Sequence, residues 1–196
     1  MKAATRSQVS EETHSQSPSS KRTTGAAEKA RRPSADALAA SLRDELGADW
    51  LPRLYRERIL TKRTRSHRVP LATTRAASVE VQHTLLGIEL KVGRKRLSCP
   101  DLATARYLAV FARAGCAEVA VPYDITQISR LADDLESSWQ RMLLLAGRAA
   151  GERGEAFAAR VRAAAVKEVR REITEAGAGT PVPQFNQNTK QRPTRD

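Results

Sequence analysis

The sequence predicts an α+β protein, in which a small β-sheet with flanking helices is followed by a C-terminal pair of amphipathic helices. Three observations predict this class. Apolar and polar residues alternate over 79–92, as in a half-buried pair of strands. Apolar residues recur at helical spacing over 124–176. Shorter helical patterns with cap residues at their ends occupy 34–59.

Composition divides the chain into four segments. Residues 1–33 form a basic, Ser- and Thr-rich tail without periodic apolar positions, and they are expected to be disordered. Residues 34–123 are predicted to form the α+β core, and 124–176 a helical hairpin that packs or dimerises. Residues 177–196 combine prolines with amides and are expected to form a second disordered tail.

Two short helices are predicted before the sheet. Ser34 caps the first, which has three leucines on one face and ends at Gly47. The second begins at Trp50, with Pro52 in its first turn. Its apolar side consists of Leu51, Leu54, Tyr55 and Ile59. This helix leads into a basic stretch over 53–68, for which one of two interpretations is a solvated helix face followed by a loop.

The alternation over 79–92 predicts an antiparallel hairpin. Its strands cover 79–85 and 88–92, and Gly87 lies in the short link between them. A basic turn is expected over 93–96, followed by a helix from Pro100 to Gly115. The apolar segment 117–121 is predicted to be a short strand that could pair beside the hairpin.

The last two helices have long apolar stripes. Asp124 is the expected N-cap of the first, and Gly151 and Gly154 separate it from the second. The stripe of the first helix is either core or a helix–helix seam, and Trp139 could equally anchor a homodimer through 124–176.

Charge indicates the class of partner. The 196 residues include 34 Lys and Arg against 22 Asp and Glu, a net charge of +12, which favours a polyanionic partner such as nucleic acid. Residues 124–177 contain nine basic and nine acidic groups, so the surplus lies in the front half and the tails. We therefore expect the front half to contact the polyanion.

Several classes of protein are excluded. No segment approaches the ~20 consecutive apolar residues of a membrane helix, so no membrane partner is expected. Cys99 and Cys116 are expected to be reduced thiols, held apart by the intervening helix, in a cytoplasmic protein. The three histidines are far apart in sequence, which argues against zinc. No glycine-rich loop follows a strand, which argues against nucleotide hydrolysis.

Ten cations are the candidate nucleic-acid-binding residues. Seven belong to the basic stretch: Arg53, Arg56, Arg58, Lys62, Arg63, Arg65 and Arg68. They could contact phosphates, or form a solvated helix face. Arg94, Lys95 and Arg96 form the basic turn, which could enter a groove or discourage edge pairing. Few aromatic residues are present, so duplex or structured nucleic acid is a better fit than stacked single strands.

One pair of residues could form a catalytic site. Glu89 and Lys91 lie two residues apart on a strand, so both emerge from one face. Carboxylates commonly hold a divalent metal that activates water against a phosphodiester, and a lysine can stabilise the developing charge. Glu80 and Glu57 are the available further ligands for Mg²⁺, together with Glu89. The alternative is a cross-strand charge pair on a solvated sheet face.

The segment from Val79 to Tyr123 resembles the second half of a PD-(D/E)xK nuclease core, most closely the VRR-NUC type. The similar features are Ile88-Glu89-Leu90-Lys91, the basic turn, a helix ending in Gly115, and the strand AEVAV. The resemblance implies that Glu89 and Lys91 are catalytic. The family's metal-binding aspartate belongs on the preceding strand, where this sequence has only Glu80.

These observations together predict a nucleic-acid-binding protein, with DNA favoured over RNA and an Mg²⁺-dependent endonuclease-like site at Glu89 and Lys91. The alternative is a non-enzymatic DNA- or RNA-binding or adaptor protein, in which the sheet is only a scaffold.

Overall fold

The computed structural model describes residues 33–71 and 78–180. Its helices are α1 (Ala35–Leu46), α2 (Leu51–Leu54), α3 (Leu102–Ala114), α4 (Ile128–Ala150) and α5 (Glu155–Ala176). Its strands are β1 (Thr64–Arg68), β2 (Val79–Thr84), β3 (Gly87–Val92), β4 (Lys95–Cys99) and β5 (Glu118–Pro122). A π-helical turn, Tyr55–Ile59, extends α2. The predicted α+β class is confirmed.

The strands form two separate antiparallel sheets. One contains β2, β3 and β4 in that order, and the other pairs β1 with β5. The predicted hairpin is confirmed, with Glu80 opposite Lys91 and Gln82 opposite Glu89. Leu85 and Leu86 form its turn and are 107% and 92% exposed.

The predicted place of the AEVAV strand is wrong. Its residues form β5, which pairs with β1 rather than with the hairpin. The free edge of the hairpin is taken by β4, with Leu97 opposite Leu90. Residues 95–99 were expected to lie in or just after the basic turn, yet the turn proper holds only Gly93 and Arg94 between β3 and β4. Glycine at the first position, with a φ of 60°, makes this two-residue turn favourable.

The end of the basic stretch is also a strand rather than a loop. The helical part stops at Ile59, and Thr64–Arg68 forms β1. These residues lack an apolar alternation, which is why the sequence gives no strand signal. Tertiary pairing decides the conformation, because the apolar strand β5 is buried on both faces and needs a backbone partner.

The helix ends predicted at Ser34, Gly47 and Gly115 are confirmed, whereas Asp124 caps a separate 3₁₀ turn, Ile125–Gln127, and α4 begins at Ile128. The Ser34 side chain accepts a hydrogen bond from the Ala37 amide, and Asp101 accepts one from Thr104. Gly47 ends α1 and Gly115 ends α3, with φ values of 51° and 77° that favour glycine.

Helix α3 lies at the centre of the core. One side packs on β2 and β3, and another packs against α4. Helix α5 packs against α1 and α4, so the residues after 124 share one hydrophobic core with those before it. The apolar stripe of α4, including Trp139 and Met142, is buried within the chain and is not available to a second copy.

The first four residues of the predicted C-terminal tail, 177–180, are ordered in the structure. The Gly177 carbonyl accepts a hydrogen bond from the Tyr55 hydroxyl at 2.7 Å. Thr180 lies beside β1, where its carbonyl accepts a bond from the Ser66 amide. These contacts order 177–180 against the β1–β5 sheet. The rest of this tail and the predicted N-terminal tail, except Pro33, lie outside the described residues.

Both cysteines are free thiols, as expected, and both are buried. Within 33–71 and 78–180, no helix combines the length and apolar character needed to cross a membrane.

Candidate nucleic-acid interface

Four of the predicted cations lie together on and just before β1. Lys62, Arg63, Arg65 and Arg68 are all exposed, and we call them the β1 cation group. None has an ion pair with an acidic side chain in the part of the chain that the structure describes. The Lys62 ammonium contacts the amide oxygen of Gln127. A strand rises about 3.3 Å per residue, so Arg63 and Arg65 are spaced about 7 Å apart along one side.

Arg63 is held in place by an aromatic ring. Its guanidinium lies 5.2 Å from the centroid of Tyr123, which follows β5. The backbone brings the two together, because the Tyr123 amide donates to the Arg63 carbonyl. A guanidinium stacked on a ring retains its in-plane N–H groups for an anionic ligand.

The helical cations of the basic stretch are also exposed, but each pairs with an acid of the same chain. Arg53 pairs with Glu57 at 2.8 Å, one helical turn away. Arg58 pairs with Asp134 of α4 at 2.6 Å. Each of these two arginines therefore has an acidic partner, whereas the β1 cation group has none among the described residues.

Arg56 belongs to a buried polar cluster. The Glu172 side chain is only 2% exposed, and its carboxylate lies 3.3 Å from Arg56 and 3.4 Å from Arg43. The Trp50 indole donates to the same carboxylate at 3.1 Å. Arg56 also donates to the Glu172 carbonyl. Sequence spacing gives no sign of this cluster, because Glu172 lies more than one hundred residues from Arg56 along the chain.

His67 lies among the β1 cation group. Its Nε2 atom is buried without a hydrogen-bond partner among the described residues. Burial, and secondarily the positive charge of Arg65, lowers the pKa of His67 below 6.5. The ring is therefore favoured in its neutral form at neutral pH and adds no positive charge to this surface.

Glu89 and Lys91 lie on the same face of the three-stranded sheet, as predicted. Each pairs with a residue on a neighbouring strand: Lys91 with Glu80 at 3.7 Å, and Glu89 with Arg96 at 3.2 Å. The pKa of Glu80 is lowered by hydrogen bonding to Ser78 and then by the Lys91 charge. This alternation of charges is the arrangement expected from the cross-strand interpretation.

The three predicted metal ligands do not come together. Glu80 and Glu89 share a sheet face, but Glu57 lies on the π-helical turn and pairs with Arg53. Among the residues that the structure describes, no group of three or more His, Cys, Asp or Glu side chains could hold a metal ion. The predicted site of three carboxylates is therefore not assembled, and no metal-dependent step follows from it.

The basic turn is divided between a turn and a strand. Arg94 and Lys95 are exposed at the end of the β3–β4 hairpin and have no ion pair within the described ranges. Arg96 lies on β4 and pairs with Glu89. Two of the three predicted cations therefore remain available to a ligand.

A second group of cations was missed in the sequence. Arg160, Lys167 and Arg170 of α5 and Arg113 of α3 line one cleft of about 740 Å³. The signal that could have found it is the seven-residue spacing from Arg160 to Lys167, which places both on one helix face. The net charge of 124–177 is zero, and a net charge summed over a whole segment does not show that cations are concentrated on one helix face.

Comparisons of the chain with protein-family models, with curated proteins and with solved structures found no match. The likeness to the nuclease core therefore rests on the motif around Glu89 and Lys91.

Proposed function

We propose that the protein binds nucleic acid, with duplex DNA as the expected ligand, through the phosphate backbone. The observation that carries this proposal is the β1 cation group: four exposed Lys and Arg residues within seven positions and no ion pair to a described acid. Cations already paired inside a protein gain little from a phosphate, whereas free ones release counterions from the nucleic acid when they bind.

Spacing supports an extended ligand. Arg63 and Arg65 lie about 7 Å apart along the strand. Successive phosphates of a DNA strand advance by about 3.4 Å along the helix axis, so this separation corresponds to about two steps. The stacked position of Arg63 on Tyr123 reduces the side-chain entropy that binding would cost.

Charge outside the described residues points the same way. The described residues contain 23 of the 34 Lys and Arg and 18 of the 22 Asp and Glu, a surplus of five within the total of +12. The remaining surplus of seven belongs to the segments 1–32, 72–77 and 181–196. Basic flanking segments strengthen non-specific attraction to a polyanion.

The placement of the aromatic rings favours a duplex over single strands. Trp50, Tyr55, Tyr107, Phe111 and Trp139 are buried in the core. These five rings are not available for stacking with unpaired bases, which is how single strands are commonly held. Tyr123 is half-exposed, and its ring is already in contact with the Arg63 guanidinium. Contacts to the phosphates of a duplex do not require exposed rings, and the exposed cations can form them.

The test measures affinity for a random-sequence DNA duplex over a range of salt concentrations. Wild type is compared with Arg63→Gln/Arg65→Gln, and with the control Arg141→Gln/Arg148→Gln, which removes two exposed charges from α4. We expect the first variant to reduce the slope of log affinity against log salt by about 2, and the control to leave it unchanged.

Two outcomes would overturn the proposal. One is the absence of duplex binding by wild type at low salt. The other is an equal slope for the β1 variant and the α4 control. A parallel measurement with duplex RNA decides the preferred nucleic acid, and the variant Arg94→Gln/Lys95→Gln decides whether the β3–β4 turn contributes.

A further inference from the structure

A second positively charged surface is a cleft beside α5, which we call the α5 cleft. It is lined by α5, by the end of α3 and by the first turn of α1, and its volume is about 740 Å³. Four of its residues are cations: Arg113, Arg160, Lys167 and Arg170. Its one acidic residue is Asp36, in the first turn of α1.

The cations of α5 that line the cleft differ from the other cations of this helix in their ion pairs. Arg160, Lys167 and Arg170 line the cleft together with Ala163 and Ala164, whose small side chains leave space between them. Away from the cleft lining, the arginines of this helix are neutralised. Arg171 pairs with Glu168 and Glu175, and Arg162 pairs with Glu155. The uncompensated charge of α5 is therefore concentrated at the cleft.

Arg170 fixes the wall of the cleft. Its Nε donates to the Ala114 carbonyl at 2.9 Å, at the C-terminal end of α3 where the helix dipole favours a cation. Gly115 makes this approach feasible, because a Cβ atom there would lie within 2.6 Å of the Arg170 guanidinium. The remaining cations, Arg113, Arg160 and Lys167, have no ion pair with an acid in the described part of the chain.

We propose that the α5 cleft is a second contact site for the phosphate backbone, so that one nucleic acid engages both this cleft and the β1 cation group. This inference rests on the proposed function. Arg160 and Lys167 are seven residues apart on a helix, which is about 10 Å at 1.5 Å per residue. That separation is too long for a single phosphate group and corresponds to about three axial steps of a DNA strand.

The chain that precedes α1 supports the same ligand. Ala35 lines the cleft, and residues 1–34 precede it in the chain. Within 1–34 there are seven Lys and Arg and three Glu, a net charge of +4. The positive charge of this segment adds to the attraction of the protein for a polyanion.

The experiment uses the full chain and the same random-sequence duplex. Arg160→Gln/Lys167→Gln removes two charges from the cleft, Arg63→Gln/Arg65→Gln removes two from β1, and Arg141→Gln/Arg148→Gln is the control with the same change in net charge. We expect the cleft variant to lower the salt slope by about 2 and to weaken binding on the order of 50-fold near 0.1 M salt. Combining the cleft and β1 variants should lower the slope by about 4.

The outcomes separate this inference from the proposed function. If the cleft variant matches the α4 control while the β1 variant loses affinity, the inference fails and the proposed function stands. If the wild type does not bind the duplex, both fail. Binding of a linear inorganic polyphosphate to the cleft without binding of the duplex would also overturn the inference. Circular dichroism of each variant establishes that it is folded.

Discussion

The Tyr55 hydroxyl accepts a hydrogen bond from the Ala120 amide at 2.8 Å, and so supplies a partner at the outer edge of β5. The same oxygen donates to the Gly177 carbonyl, while the Tyr107 hydroxyl donates to the Ala120 carbonyl at 2.6 Å. The two tyrosine hydroxyls thereby bond the backbone amide and carbonyl of Ala120, as a third strand beside β5 would.

Tyr55→Phe should destabilise the protein without unfolding it. The change leaves the buried Ala120 amide without its partner, which costs about 1–3 kcal/mol. For a chain of this size, each kcal/mol corresponds to a decrease in Tm of about 2–4 °C. Thermal denaturation checks this, with Tyr123→Phe as the control, because Tyr123 is half-exposed. Equal Tm values for the two variants would contradict the assigned role of the hydroxyl.

Alkaline pH should unfold the protein through the same residue. Burial raises the pKa of Tyr55 from 10.0 to about 12, despite the opposing effect of the Ala120 hydrogen bond. Above pH 10 the unfolded chain loses this proton more readily than the folded chain does. The stabilisation that the protonated Tyr55 hydroxyl contributes is therefore fully present below pH 10, and it is lost as the pH rises through about 12. Tm measured by circular dichroism should decrease more between pH 10 and 12 for wild type than for Tyr55→Phe, and equal decreases would contradict this role.

Loss of the buried carboxylate should be costly. Glu172→Gln removes the charge that faces Arg43 and Arg56, and we expect a loss of about 1–3 kcal/mol. Glu175→Gln is the matched control on α5, because its exposed pair with Arg171 is screened by solvent and should contribute little to stability. Urea denaturation measures both, and a smaller loss for Glu172→Gln than for Glu175→Gln would show that the cluster does not stabilise the fold.

Acid should weaken the β1 region through His67. Its folded pKa is lowered below 6.5, mainly by burial. The unfolded chain therefore takes up the proton first as the pH falls. The stabilisation that the neutral His67 ring contributes is present above about pH 6.5. It is lost as the pH decreases towards the pKa of His67 in the folded protein. Tm values measured between neutral and mildly acidic pH should decrease more for wild type than for His67→Gln, and identical pH profiles would argue against this effect.

Magnesium should not stabilise the sheet. Glu80 and Glu89 are paired with Lys91 and Arg96, and Glu57 does not join them. Adding millimolar Mg²⁺ should therefore leave Tm unchanged for wild type, and Glu89→Gln should cost less than about 1 kcal/mol. An Mg²⁺-dependent rise in Tm that disappears in Glu89→Gln would instead support the metal site that the nuclease resemblance implies.

Local signals in the sequence predicted much of the fold. The alternation over 79–92 identified the hairpin, and Ser34, Gly47 and Gly115 marked helix ends. Each of these depends on a few neighbouring residues. The shared face of Glu89 and Lys91 was predictable for the same reason, since it follows from the two-residue period of a strand.

Pairings between distant segments were not predictable in this way. The partner of β5 was assigned wrongly, because β1 carries no apolar alternation and is held by its pairing with β5 and its contact with Thr180. The seven cations of the basic stretch looked equivalent in sequence. Glu172 and Asp134, both distant in sequence, distinguish Arg56 and Arg58 from the four cations that remain free.

By itself the sequence determined the α+β class, the hairpin, most helix ends and the excess of positive charge, because backbone preferences and net charge are local or additive properties. Only the tertiary structure decided which of these cations pair with an acid and which do not. The physical reason is that an ion pair requires two side chains within a few ångströms of each other. That distance depends on how the chain folds and cannot be obtained from its composition.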